Sequence, residues 1–286
     1  MITYFQAIII GGLQGLTELF PVSSLGHSVI LPPLLGWNIN QNANFYLIFL
    51  VATHLATSLV LFGFFFKDWM KIFQGLGRSL KNRVIDQADT YAKLGWLIIV
   101  ATIPAGLLGL LLQEKLKLLF GSPLSVSIFL FLNGLVLALA DMLRRRSKRD
   151  TAQNADVRAA SLTWFQAIGI GFSQALALIP GFSRTGSTLG GGLLAGLDHE
   201  ASARFSFLLA TPIIFAAAML KLPELLATGE NYPLGPVLIG SLVSALAAYF
   251  SVKFLTKYFK SNSLRPFAAY CLIIGGLATL IFLIRQ

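Results

Sequence analysis

The sequence predicts an all-α polytopic membrane protein, an inverted-topology repeat of about six transmembrane helices plus two re-entrant helical hairpins. Three observations carry that reading. Apolar residues fill 56% of the 286 positions and charged residues 12%, a balance found in lipid-embedded chains rather than soluble domains. Apolar runs of about 20 residues recur, each long enough to cross a hydrocarbon core of ~30 Å. A segment near the N-terminus also returns 160 positions later: "TYFQAIIIGGLQGL" (3–16) and "TWFQAIGIGFSQAL" (163–176) agree at nine of fourteen positions.

The elements follow in order. Segment 3–36 is broken at Pro21 and Gly26. The expected spans are 45–66, 94–112, 124–143, 203–222, 236–256 and 266–284. They should be helices, because lipid leaves open sheet edges unsatisfied. Segment 163–197, between the third and fourth spans, is broken at Pro180, Gly181 and Gly186. The whole chain, 1–286, reads as one membrane domain, with one repeat over about 1–143 and the other over about 160–286. The start "MITYFQAIII" lacks a basic stretch, so no cleavable signal peptide is expected. Cys271 is alone, which excludes a disulfide framework and a Cys-based metal site.

The net charge of +10 would suit nucleic acid, but its placement argues for topology instead. Six Lys/Arg lie in 67–93, six in 144–158 and four in 253–265, whereas 113–123 and 221–235 hold only Lys115, Lys117 and Lys221. Basic connections stay cytoplasmic, which puts three connections inside, two outside and both termini outside. The second copy then begins inside and the first begins outside. The two copies are antiparallel, as in many transporters. Each copy must cross an odd number of times, and 45–66 and 203–222 supply one crossing each. Segments 3–36 and 163–197 are left as hairpins that enter from opposite faces and meet near the midplane.

Those hairpin tips hold the candidate chemistry. Glu18 is the only charged residue before Lys67, and Arg184 the only one between Arg158 and Asp198. An ionisable group inside a membrane costs at least ~2.5–3.5 kcal/mol, so it marks a function by default. Gln14 and Glu18 share a helix face at four-residue spacing, and Ser24 and His27 share one at three. Ser183, Thr185, Ser187 and Thr188 surround Arg184, and glycines at a helix start expose N–H groups that suit an anion. The plainer alternative is a Glu18–Arg184 pair that merely closes the two tips. Ser23 reads as a cap. His54, alone inside a span, reads as packed or hydrogen-bonded rather than catalytic. Gln6, Gln166 and Gln174 read as interhelical bonds.

"QGLTELFPVSSLGH" (14–27), "ALIPGFSRTGST" and "ARFSFLLATP" together resemble the undecaprenyl-diphosphate phosphatase, or bacitracin-resistance, family. The likeness covers nearly the whole chain. It implies a bacterial inner-membrane enzyme that removes the terminal phosphate of a C55 polyprenyl diphosphate and so recycles the lipid carrier of cell-wall synthesis, with its site open to the outer side. Glu18, Ser24, His27 and Arg184 match the family's functional positions, with Ser183 and Thr188 as neighbouring hydroxyls. Three positions depart from the family pattern: Gln14 stands where a glutamate is common, Leu25 replaces a small hydroxyl residue, and Thr185 replaces a serine.

On this reading Arg184 clamps the diphosphate with its planar fork, and Gln14, Ser183, Thr185, Ser187 and Thr188 bind it. Ser24 is the candidate nucleophile with His27 as its base; His27 itself or water are the alternatives. Glu18 orients the histidine, accepts a proton or holds a divalent cation, Mg²⁺ or Ca²⁺. Expected partners are the polyprenyl diphosphate, membrane lipid and, as one option, a second copy in a homodimer. The rival function is transport or flipping of an anionic polyprenyl phosphate lipid, which needs the same anion site but no nucleophile and base.

Overall fold

The computed structural model describes residues 2–86, 88–117, 122–144, 154–226 and 232–285. The basic residues Arg145, Arg146, Lys148 and Arg149 lie outside that set. The described residues form α-helices joined by short connections, with one 3₁₀ turn and no strand. In chain order the helices are α1 (Tyr4–Leu19), α2 (Ser24–Leu34), α3 (Asn44–Phe64), α4 (Phe66–Asn82), α5 (Thr90–Lys117) and α6 (Pro123–Leu143), then α7 (Ala155–Ala160), α8 (Trp164–Ala175), α9 (Arg184–Leu194), α10 (His199–Leu226), α11 (Leu234–Tyr258) and α12 (Arg265–Ile284).

Six of them, α3, α5, α6, α10, α11 and α12, are long and apolar enough to cross a membrane. They fall on the six expected spans. The chain is a multi-pass membrane protein. Helices α1, α2, α8 and α9 are shorter: at 1.5 Å per residue, the 16 residues of α1 reach about 24 Å and the 11 of α2 or α9 about 16 Å. None of the four matches the ~30 Å core alone.

The two copies of the repeated segment start and restart alike. Thr3 and Gln6 form a reciprocal capping box at α1, and Thr163 and Gln166 form the same box at α8. This satisfies two otherwise orphaned N–H groups at each start. Ser23 and Ser183 then cap α2 and α9, accepting from Gly26 N at 3.1 Å and Gly186 N at 3.0 Å. Packing follows the same pairing, with α1 on α11, α8 on α5, α6 on α12 and α3 on α10. Close approach rests on small residues, as is usual between lipid-embedded helices. A Cβ at Gly15 of α1 would sit 2.1 Å from the Ser244 carbonyl oxygen of α11, and one at Gly171 of α8 would sit 2.5 Å from that of Ala101 in α5.

One stretch differs from the sequence reading. Residues 67–93, expected as a basic inside connection, begin with the amphipathic helix α4, which buries Trp69, Ile72, Gly75 and Ser79. Asp68 of α4 binds Arg204 of α10 at 2.7 Å, and Arg204 also binds Asp156 of α7 at 2.7 Å. Asp141 at the end of α6 binds His199 (2.7 Å) and Arg265 (3.2 Å). These ion pairs gather the starts of α4, α7, α10 and α12 and the end of α6 at one end of the bundle.

Candidate active site

Two chain breaks meet inside the bundle. The first runs from Phe20 to Ser23, between α1 and α2. Ser23 holds φ at +65°, a left-handed conformation uncommon for a non-glycine residue and found mostly where the surroundings enforce it. The second break, before α9, turns through Gly181 at φ +108°, where a Cβ would lie 2.5 Å from the Val126 carbonyl oxygen. Glycine is the residue that fits both demands.

Hydrogen bonds join the two breaks directly. Thr185 Oγ1 donates to the Glu18 carbonyl at 2.9 Å, and Ser183 Oγ to that of Phe20 at 3.4 Å. Asn133 of α6 spans the seam. Its Nδ2 donates to the Pro21 carbonyl (3.2 Å), while its Oδ1 accepts from Ser183 N (3.0 Å).

At this seam Glu18 is buried and collects four donors. Its Oε1 accepts from Arg184 Nη2 at 2.6 Å. Its Oε2 is bonded by Gln14 Nε2 at 3.0 Å and Ser24 Oγ at 2.5 Å, and faces His54 Nε2 at 3.2 Å. Pairing of this kind is what makes a buried carboxylate tolerable. Arg184 Nη1, Gln14 Oε1 and Ser187 Oγ are buried without a protein partner. These are polar atoms at the seam that a ligand could engage. The arrangement can present one guanidinium N–H to an anion while a carboxylate oxygen holds a serine hydroxyl's proton.

Glu18, Gln14, Ser24 and Arg184, singled out in the sequence, come together. His27 does not join Ser24. Its Nδ1 lies 2.6 Å from the Ser23 carbonyl, which can only accept, so the hydrogen sits on Nδ1. Its Nε2 then accepts from Tyr270 Oη of α12 at 2.8 Å. The expected Ser24–His27 pair is therefore corrected: the acceptor that Ser24 meets is Glu18. The hydroxyls around Arg184 are also mostly committed. Ser183 and Thr185 fasten the seam, and Thr188 Oγ1 bonds the Arg184 carbonyl at 2.9 Å and pairs with Ser206 Oγ. The N–H groups of Ser183 and Gly186 are taken as well, by Asn133 and by Ser183 Oγ. Sequence reasoning missed Asn133 and Tyr270 and set His54 aside. A lone polar side chain in an apolar helix was the one signal that could have found them.

A protein-built divalent-cation site does not fit these residues. Among the described residues no three His, Cys, Asp or Glu side chains gather. Both oxygens of Glu18 are already engaged by donors, one of them a guanidinium. Gln14 aims its nitrogen, not its oxygen, at Glu18. The sequence expectation that Glu18 holds Mg²⁺ or Ca²⁺ thus finds no second anionic ligand, and no step below runs through a metal.

Residues 7–277 match the family model described as bacitracin resistance protein BacA. This chain belongs to the BacA family. An undecaprenyl-diphosphatase of Mycolicibacterium paratuberculosis is 43% identical over 301 residues, covering 99% of this chain and 98% of its own length. Undecaprenyl-diphosphatase 2 of Chromobacterium violaceum is 45% identical, covering 98% and 99%. The BacA match spans both chain breaks, so Glu18 and Arg184 lie within the family's shared region.

Proposed function

We propose that this BacA-family chain is an undecaprenyl-diphosphate phosphatase, converting undecaprenyl diphosphate to undecaprenyl phosphate and phosphate and so recycling the cell-wall lipid carrier. The observation that carries the site assignment is the Glu18 carboxylate, which joins the Ser24 hydroxyl to the Arg184 guanidinium in one buried cluster. The relatives' names supply the substrate.

In this mechanism the terminal phosphate docks on Arg184 Nη1, with Ser187 Oγ as a second donor. Ser24 Oγ gives its proton to Glu18 Oε2 and attacks the terminal phosphorus. The bond from that phosphorus to the bridging oxygen breaks, and undecaprenyl phosphate leaves with the bridging oxygen. Glu18 passes the serine proton on to that bridging oxygen as it leaves; water then gives a proton to Glu18 and attacks the phosphoserine phosphorus, and Glu18 returns the proton to Ser24 Oγ as the serine–phosphorus bond breaks, releasing phosphate. Phosphoryl transfer of this kind depends chiefly on positioning and charge stabilisation. Transport alone would need the arginine but no hydroxyl held on a carboxylate, so Ser24 favours hydrolysis.

The helix–break–helix pairs α1–α2 and α8–α9 are read as re-entrant hairpins entering from opposite faces, in an inverted repeat. The membrane is the bacterial inner membrane, with the ion-paired end of the bundle cytoplasmic and the site open to the outer side. The deciding measurement is phosphate release from undecaprenyl diphosphate by the purified chain in detergent, with Ser24→Ala beside it. Release that persists in Ser24→Ala removes the serine from the chemistry; no release by the wild type removes the activity.

A further inference from the structure

His54 sits in the middle of α3, and neither the motifs nor the family name gives it a role. Its geometry is specific. Nδ1 lies 2.7 Å from the Leu50 carbonyl, one turn back in its own helix. A carbonyl only accepts, so Nδ1 carries a hydrogen. Nε2 lies 3.2 Å from Glu18 Oε2. Two lone pairs would repel at that distance, so a proton lies between them. Wherever that proton sits, Glu18, His54 and Arg184 together carry one net positive charge, which suits an anionic diphosphate.

The contact also decides where Glu18 points. The terminal torsion of a glutamate is broad and sets no preferred angle by itself. Arg184 anchors Oε1, and a carboxylate held at one oxygen can still swing the other. His54 from α3 and Gln14 from α1 approach Oε2 from two separate helices and keep it on Ser24 Oγ.

We infer that His54 is a positioning residue of the active site: it holds the Glu18 carboxylate on the Ser24 hydroxyl and adds the charge that keeps the cluster cationic. This rests on the Ser24–Glu18 chemistry proposed above.

Two substitutions separate the two nitrogens of the ring. In His54→Gln the amide nitrogen lies as many bonds from Cβ as Nε2 does, so it reaches Glu18. In His54→Asn it lies where Nδ1 does, so it reaches only Leu50. Both variants are polar, neutral and helix-compatible. The assay is phosphate release from undecaprenyl diphosphate by the full chain in detergent, with kcat and KM measured separately. The expected result is kcat within about threefold of wild type for His54→Gln and a loss of about tenfold or more for His54→Asn, the effect of one lost hydrogen bond to a charged group. KM should rise in both, because both lack the charge. Equal kcat in the two variants, or rescue by Asn rather than Gln, overturns the positioning role; an unchanged KM in both overturns the charge. A wild-type chain without phosphate release instead overturns the proposed activity, and His54's role in it.

Discussion

Replacing Arg184 with lysine keeps the charge and removes the fork. Arg184 uses Nη2 on Glu18 Oε1 at 2.6 Å and has Nη1 buried and free. Two nitrogens therefore serve two partners, Glu18 and the incoming phosphate. Lysine offers one nitrogen on a flexible stem. Held on Glu18, it leaves the phosphate without a charged donor. A hydrogen bond to a charged group is worth about 1.5–3 kcal/mol, so the transition state loses a factor of about 10 to 150. Should the lysine swing to the phosphate instead, Glu18 loses its cation, and stranding one member of a buried pair costs about 3–5 kcal/mol. The smaller figure is therefore a floor. Folding should survive, since the resting pair keeps both charges. The assay is initial-rate phosphate release over a range of undecaprenyl diphosphate concentrations, alongside the thermal midpoint in the same detergent. Turnover within twofold of wild type, at an unchanged midpoint, would refute a two-nitrogen clamp.

Three further outcomes are expected. Gln14→Glu places a second carboxylate about where the amide nitrogen now sits, 3.0 Å from Glu18 Oε2, where two such charges repel by on the order of 5 kcal/mol at an effective dielectric of ~20. A divalent cation relieves that repulsion, so phosphate release by this variant should depend on Mg²⁺ or Ca²⁺ more steeply than wild type; equal sensitivity to a chelator would argue against it. Gly15→Ala puts a methyl group 2.1 Å from the Ser244 carbonyl oxygen, whereas Gly169→Ala meets nothing within 4 Å. The first should lower the thermal midpoint by the equivalent of about 1–3 kcal/mol and weaken activity through α1, while the second should do neither, and equal midpoints would remove the close-crossing argument. Single cysteines placed in 226–232 should react with a membrane-impermeant reagent from the outer face and those in 144–150 should not; the reverse pattern would turn the topology over. Native Cys271 is buried and adds little background.

The spans were legible because hydrocarbon imposes one rule on every residue within it. The α4 helix was not, since its aromatic residues alternate with Lys67, Lys71 and Arg78, and charge density alone read as a connection. Within the site, Glu18 and Arg184 stood out because an isolated charge in an apolar segment is too costly to be incidental. Which acceptor Ser24 meets was not legible. One-turn spacing put His27 on the same helix face, but its ring turns to Tyr270, 243 positions away, and to its own cap carbonyl. His54 and Asn133 had the same disadvantage: their partners come from other helices, and no local pattern records them.

The seam between the two breaks has a consequence for biosynthesis. Glu18 and Ser24 emerge early, but their arginine, and the hydroxyls that fasten the tips, come more than 150 residues later. While the first half waits in the membrane, Glu18 has His54 and Gln14 beside it but not Arg184, and Ser24 lacks its anion clamp. Hydrolytic competence therefore arrives in a single event, when the later helices dock. A truncated or stalled chain would occupy the bilayer without consuming lipid carrier, and turnover per molecule becomes a measure of how many chains have finished assembling.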